Sequence, residues 1–383
     1  MSGTCLTAKP LTNPTDFVID INEDREPVIL HISDPQIIDV KQERDPDRLY
    51  SDNESYWGSF EKMEENCFSY IRETVEETNP DLILITGDIV YGEFDDNGTS
   101  LQKFIEFMET LNIPWAPVFG NHDNESNMGA DWQCAQLEAA ENCMFKQRTL
   151  TGNGNYSIGI KQNGKLNRVI FMLDSNGCSG MSQATKQNGH SKSSAGFGND
   201  QIAWYTENAS LIKEYYEDVK FTFAFHIQTN KFATAYEKYG YSNGTPINID
   251  YHDNKEDTDF GIIGAKLKGA WDSDDSITNG MIALGADSIL VGHEHANSAS
   301  VVYEGVRYQY GQKCSVYDRN NYVAADGTIV YSSYSDAGDP IMGGTVMKLS
   351  KTDGSISDAY IYYCDTSDDA GEGGGGYCPT SGK

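Results

Sequence analysis

Asp34, Asp88, Asn121, His122, His226, His293 and His295 fall in five short motifs, HISDPQ, ITGDIVYG, VFGNHDNE, FTFAFH and ILVGHEH, each at the end of an apolar run. Carboxylate oxygens, imidazole nitrogens and one amide oxygen are a donor set suited to a pair of metal ions. A carboxylate can bridge two cations while the neutral donors complete their shells. No thiolate is among these residues, and none of the eight cysteines forms a CxxC pair, which points to Mn, Fe or catalytic Zn rather than a structural zinc. Taken singly, an Asp after a strand is ordinarily a turn or cap residue. Asn-His-Asp after a glycine, and two histidines at i and i+2 in GHEH, are harder to account for by packing. Two cations so held lower the pKa of a shared water and neutralise a phosphate ester.

Such residues act together only if their carriers converge. Val28 to Ile32, Leu82 to Thr86, Trp115 to Phe119, Phe221 to Phe225 and Ser288 to Val291 read as buried strands. The carboxyl ends of strands in an open α/β sheet face one crevice, so residues distant in sequence meet there. Gly87, Gly120 and Gly292 flank the motif residues, where the chain must turn as it leaves a strand. Apolar spacing predicts helices over residues 59–78, stopped by Pro80, over 101–111, over 130–146, and from Asp200 towards Val219. Further strands are expected near 156–160 and 168–173, a loop-rich rim over 228–280, and hairpin-like segments up to Tyr363. Residues 1–25 read as an extended N-terminal arm, 26–364 as the domain, and 365–383 as a Gly-rich acidic tail. Strand–helix alternation followed by antiparallel-looking strands predicts an α/β (α+β) fold, with a mixed sheet or a pair of packed sheets flanked by helices.

Composition narrows the function classes. Against 28 basic residues stand 58 acidic ones, a net charge of −30, and without a basic patch a chain cannot displace counterions from nucleic acid. No run of about 18 apolar residues is present to cross a bilayer. The opening MSGTCLTAKP lacks the apolar core of a secretory signal, so the protein is cytoplasmic or the numbering starts at a mature residue. Six Asn-x-Ser/Thr sites (Asn53, Asn97, Asn124, Asn155, Asn208, Asn243), an even cysteine count and a Tyr- and Gly-rich composition favour a secreted glycoprotein. Its most plausible disulfides are Cys134–Cys143 and Cys364–Cys378. His31 is expected in the core or behind the site, and His190 and His252 in solvated loops.

In order and type, the motifs D-x-[HQ], GD, GNH[DE], H and GHxH resemble the calcineurin-like metallophosphoesterases across residues 26–350. NIPWAPVFGNHDNES, GFGNDQIAWY and AFHI resemble more narrowly the small purple-acid-phosphatase-like branch. The resemblance implies two packed mixed β-sheets flanked by helices and a centre of two divalent or mixed-valence ions, Fe, Mn or Zn. It implies that Asp34 and His295 hold the first ion, that Asp88 bridges, and that Asn121, His226 and His293 hold the second. By the same resemblance His122 is the general acid, Asp123 orients it, and a phosphomonoester is the favoured substrate. Two positions depart from the plain pattern. Gln36 stands where most relatives have His, a weaker neutral ligand, and Tyr91 has the spacing of a GDxxY metal-binding tyrosine or is a rim residue. The alternatives to an enzyme of this kind are an extracellular structural or adhesive protein keeping a metal-stabilised phosphoesterase fold, and a cytosolic protein phosphatase.

Overall fold

Two β-sheets carry the fold in a computed structural model that describes residues 14–42, 59–95, 97–177, 195–242, 244, 246–264, 267–317, 320–324, 326–332 and 339–366. The six-stranded sheet runs Ile356–Tyr363, Gly343–Leu349, Val28–Ser33, Leu82–Ile85, Trp115–Pro117, with Gln312–Lys313 pairing to the end of Val28–Ser33. Val28–Ser33, Leu82–Ile85 and Trp115–Pro117 are mutually parallel. Their nearly unbroken apolar character suits strands covered on both faces. The seven-stranded sheet has the order Phe17–Ile21, Tyr156–Gln162, Lys165–Met172, Lys220–Ala224, Ala286–Val291, Val306–Tyr310, Ser300–Tyr303. Its centre, Lys165–Met172 beside Lys220–Ala224 beside Ala286–Val291, is parallel as well.

Alternation along the strands sorts side chains to the two faces. Ile170, Met172, Ala224 and Leu290 belong to one apolar cluster with Leu84 and, on the helix side of the six-stranded sheet, Leu30, Ile32 and Ile85. Val169, Phe171, Phe223 and Val291 face the other way, into a second core with Tyr205 and Ile212 of the helix Asn199–Tyr215. The helix Phe60–Thr78 covers the outer face of the six-stranded sheet with Met63, Cys67, Tyr70, Ile71 and Val75, all buried. Ser59 caps its start by accepting from the Lys62 amide at 3.3 Å, and Asn79 closes it in a left-handed conformation just before Pro80.

Several sequence expectations need correction. Phe17–Ile21, inside the segment read as an arm, is an edge strand parallel to Tyr156–Gln162. Asp16 secures it, its carboxylate accepting from Lys146, from Arg148 and from the Ser157 amide. The helix expected over 130–146 ends at Ala139, because Glu109 binds the Asn142 amide and Cys143 bridges to Trp115, drawing the chain back to the sheet. The region 228–280 contains the helix Lys231–Tyr236 and the start of a second, Ser276–Leu284. Cys67, Cys134, Cys143 and Cys314 are buried free thiols, so the 134–143 pairing does not form; Cys378 lies outside the described residues. The Asn155 side chain is 1% exposed and bonded to the Asp174 amide and Gln201, which leaves no room for a glycan. Asn53 and Asn243 lie outside the described residues. No described helix is long and apolar enough to cross a membrane.

Candidate metal centre

Because each sheet has a parallel centre, the turns after its strands emerge on one side. Asp34, Asp88 and Asn121 follow three strands of one sheet; His226, His293 and His295 follow two of the other. The edges of the two sheets touch at these turns. His293 N donates to Asp34 Oδ2 at 3.1 Å, and His226 Nδ1 donates to Thr86 O at 2.6 Å. Gly87, at φ +90°, allows the approach, since a Cβ there would lie 2.6 Å from His226 Nδ1 and 2.9 Å from the Gly120 backbone. Asp34, Asp88 and His293 themselves take φ of 52°, 52° and 75°. Such left-handed backbone costs on the order of 1–3 kcal/mol per residue and persists only where surroundings impose it. At Asp88 it is Asp123 that holds the turn, while the Asp34 amide donates to Gly87 O and the His293 amide to Asp34 Oδ2. The Asp123 carboxylate accepts from the amides of Gly120 at 2.7 Å, Asp88 at 2.9 Å and Val90 at 3.0 Å.

The turns gather two sets of donor atoms, Asp88 with His226 and His293, and Asp34 with Asp88 and His295, each set within 4.8 Å and both containing Asp88. Asn121 Oδ1 lies 3.2 Å from His226 Nε2, and Asp88 Oδ2 lies 3.2 Å from the same nitrogen. The bond to Thr86 keeps a proton on His226 Nδ1, so Nε2, facing two acceptor oxygens, is the atom at which a cation would replace a proton. That is an arrangement for a shared cation. Asp34 Oδ1 faces His295 Nε2 at 3.3 Å and, though buried, makes no well-formed hydrogen bond. The donors present therefore fit two metal ions, with Asp88 common to both.

Electrostatics agree with the donor set. Burial alone would raise the carboxyl groups of Asp34 and Asp88. For Asp34 the His295, His226 and Lys313 side chains outweigh it, and for Asp88 His226 and His122 do so, holding Asp88 at about 2. Burial would lower His226, but the Asp88 and Asp34 carboxylates bring it up to about 9. His293 falls to about 3 through burial and the neighbouring His226, which leaves it a neutral donor. Asp123 is raised to about 7 by burial and by Asp88.

His122 lies beside the two groups, its amide donating to Asp88 Oδ1 at 2.8 Å. Its Nδ1 is 2.7 Å from Glu125 Oε2, and Glu125 is fully buried. Glu125 thus takes the orienting position that the sequence suggested for Asp123. The acid three residues after the histidine in NHDNE was the available signal. Burial works to lower His122, yet Glu125 and Asp88 overcome it and hold the imidazolium well above the ordinary range. The Tyr91 ring stacks on His122 with centroids 4.1 Å apart. Gln36 is buried at φ 50°, its amide oxygen accepting from Lys313 Nζ at 2.8 Å. Sequence reading passed over Lys313, and its local pattern carries no signal. His31 is a satisfied core residue, hydrogen-bonded to Thr86 and Gln309; His252 lies half-buried in a loop, and His190 is outside the described residues.

A family profile described as calcineurin-like phosphoesterase matches residues 27–297. The chain belongs to that family. Its curated relatives include the plant protein named probable inactive purple acid phosphatase 28, from Arabidopsis thaliana, 31% identical over 109 residues, 25% of this chain and 28% of that one. Phosphatase DCR2 of Saccharomyces cerevisiae is 23% identical over 250 residues, covering 62% of this chain and 39% of that one. The chain spans less than half the length of these relatives. Among solved structures, a dimetal phosphatase from Danio rerio overlays on 89% of this chain and 99% of its own, at 10% identity and a TM-score of 0.47.

Proposed function

We propose that this phosphoesterase-family chain hydrolyses phosphate esters, monoesters foremost, at a dinuclear centre held by Asp34, Asp88, Asn121, His226, His293 and His295. The observation that carries the reading is the pair of donor sets sharing Asp88 beside an imidazole backed by a buried glutamate. When bound, a pair of Fe, Mn or Zn ions supplies an activated water and neutralises charge on the phosphoryl oxygens. The protein's own residues do the rest. Thr86 fixes the His226 tautomer, so that Nε2 is offered to the cation. Asp123 pins together the turns that follow Leu82–Ile85 and Trp115–Pro117, which keeps Asp88 where two cations would share it. Glu125 takes His122 Nδ1, which leaves Nε2 to give a proton to the departing ester oxygen, an effect worth roughly 10²–10⁴ in rate. Tyr91 is assigned to stacking on that ring rather than to the metal.

A second reading is favoured by one observation: the Gln36 amide oxygen is already engaged by Lys313, as suits a metal-stabilised fold with little turnover. Hydrolysis of p-nitrophenyl phosphate and its bis-ester with added Mn, Fe or Zn separates the two. Metal-dependent turnover that favours the monoester supports the enzyme, whereas bound metal without turnover supports the scaffold.

A further inference from the structure

Gln312–Lys313 pairs with Ile32 and Ser33, so Lys313 sits under the turn that presents Asp34. The residue is 1% exposed, and its Nζ donates to Asp34 O at 2.9 Å and to Gln36 Oε1 at 2.8 Å. An ammonium has donors only, so the Gln36 amide must turn its oxygen to Lys313; its buried Nε2 has no hydrogen-bond partner. Gln36 is itself held in place, its backbone amide donating to Asp88 O at 2.9 Å. The one ligand atom that this side chain could offer is thus already bonded to a cation. A metal ion on the same oxygen would lie beside that positive charge in a medium that screens poorly. The other donor set is different. Among the described residues, no lysine or arginine side chain bonds to Asn121, His226 or His293.

We propose that Lys313 ranks the two metal positions, so that the chain takes its first divalent cation at Asp88, Asn121, His226 and His293. The second then binds more weakly at Asp34, Asp88 and His295. Lys313 is a positioning residue in this role. It withdraws Gln36 from ligation and lends Asp34 a fixed opposing charge, leaving the weaker position three protein ligands. The inference rests on the dinuclear reading above.

Calorimetric titration of the metal-stripped full chain with Mn²⁺, alongside metal analysis, tests it without reference to turnover. Wild type is expected to bind in two steps whose dissociation constants differ by at least ~10-fold, and Lys313→Gln to tighten the weaker step alone by a similar factor. Lys313→Arg should keep the separation, while His295→Ala should abolish the weaker step and His226→Ala the tighter one. Lys313→Met, which preserves the packed stem, serves if the glutamine variant does not fold. Equal wild-type affinities, or a weaker step unmoved by removing the charge, overturn the ranking while the dinuclear reading stands. No Mn²⁺ binding by wild type overturns both.

Discussion

The two sheets make unlike contributions to one centre. The six-stranded sheet supplies the anionic donors Asp34 and Asp88, both on left-handed backbone, with Asp123 holding the turn of Asp88. The seven-stranded sheet supplies the imidazoles of His226, bonded back to Thr86 of the neighbouring sheet, and of His293, kept neutral by burial and by His226. Neither sheet alone provides a complete donor set, since both sets combine a carboxylate from one sheet with a histidine from the other. Cation binding is therefore coupled to sheet-on-sheet packing. The far edges of the sheets, by contrast, are held by ordinary surface chemistry, such as the Asp16 carboxylate with Lys146 and Arg148.

The strongest way to break this division is at the shared ligand. Asp88→Ala should bind neither ion and lose turnover by about 10⁴-fold or more, equivalent to ~5.5 kcal/mol of barrier. Metal analysis and p-nitrophenyl phosphate hydrolysis measure both. Chelation comes next. A ligand present at a thousandfold over its Kd contributes about 4 kcal/mol to the folded state. Stripping metal should lower the wild-type Tm sharply and leave Asp88→Ala unmoved.

Glu125→Gln sharpens the account inside the site. It should reduce kcat about 10–100-fold with metal content intact, the scale expected when the partner of a functional imidazole is removed. Asp123→Asn should instead loosen metal binding, because its oxygens hold the turns and not the imidazole. The smallest effect is expected at the edge. Asp16→Asn should destabilise the fold by about 1–2 kcal/mol, equally with and without metal. Although burial opposes it, the bonds to Lys146 and Arg148 depress the Asp16 carboxyl in the folded state. Its stabilisation is thus present above the unfolded value near ~3.9 and fades as pH falls through and below it. Urea titrations of both proteins should converge at low pH; a constant gap would assign the effect to packing.

The site was largely legible because its residues follow short buried strands, and glycine-turn-ligand punctuation survives without knowledge of the fold. Asp34, Asp88, Asn121, His226, His293 and His295 are all brought together. What sequence could not show were contacts made across the fold. Phe17–Ile21 lies near prolines and has only five residues, so its role as an edge strand depends on Tyr156–Gln162 being there to receive it. The helix after Ala130 stops at Ala139 because Glu109, some thirty residues earlier, claims the Asn142 amide. Asp123 and Glu125 are two acids beside the same histidine, and only the turn geometry tells which one meets the ring. Lys313 is the clearest case. A lysine in YGQKC reads as a surface residue until the strand places its ammonium against Asp34 and Gln36.

Anomalous diffraction from crystals loaded with Mn or Zn tests the central claim most directly. Two peaks about 3.5–4 Å apart are expected on either side of the Asp88 carboxylate, one also bonded to His226 and His293 and the other to Asp34 and His295. A single peak that ignores Asp88, or density bound only to surface carboxylates, would contradict it.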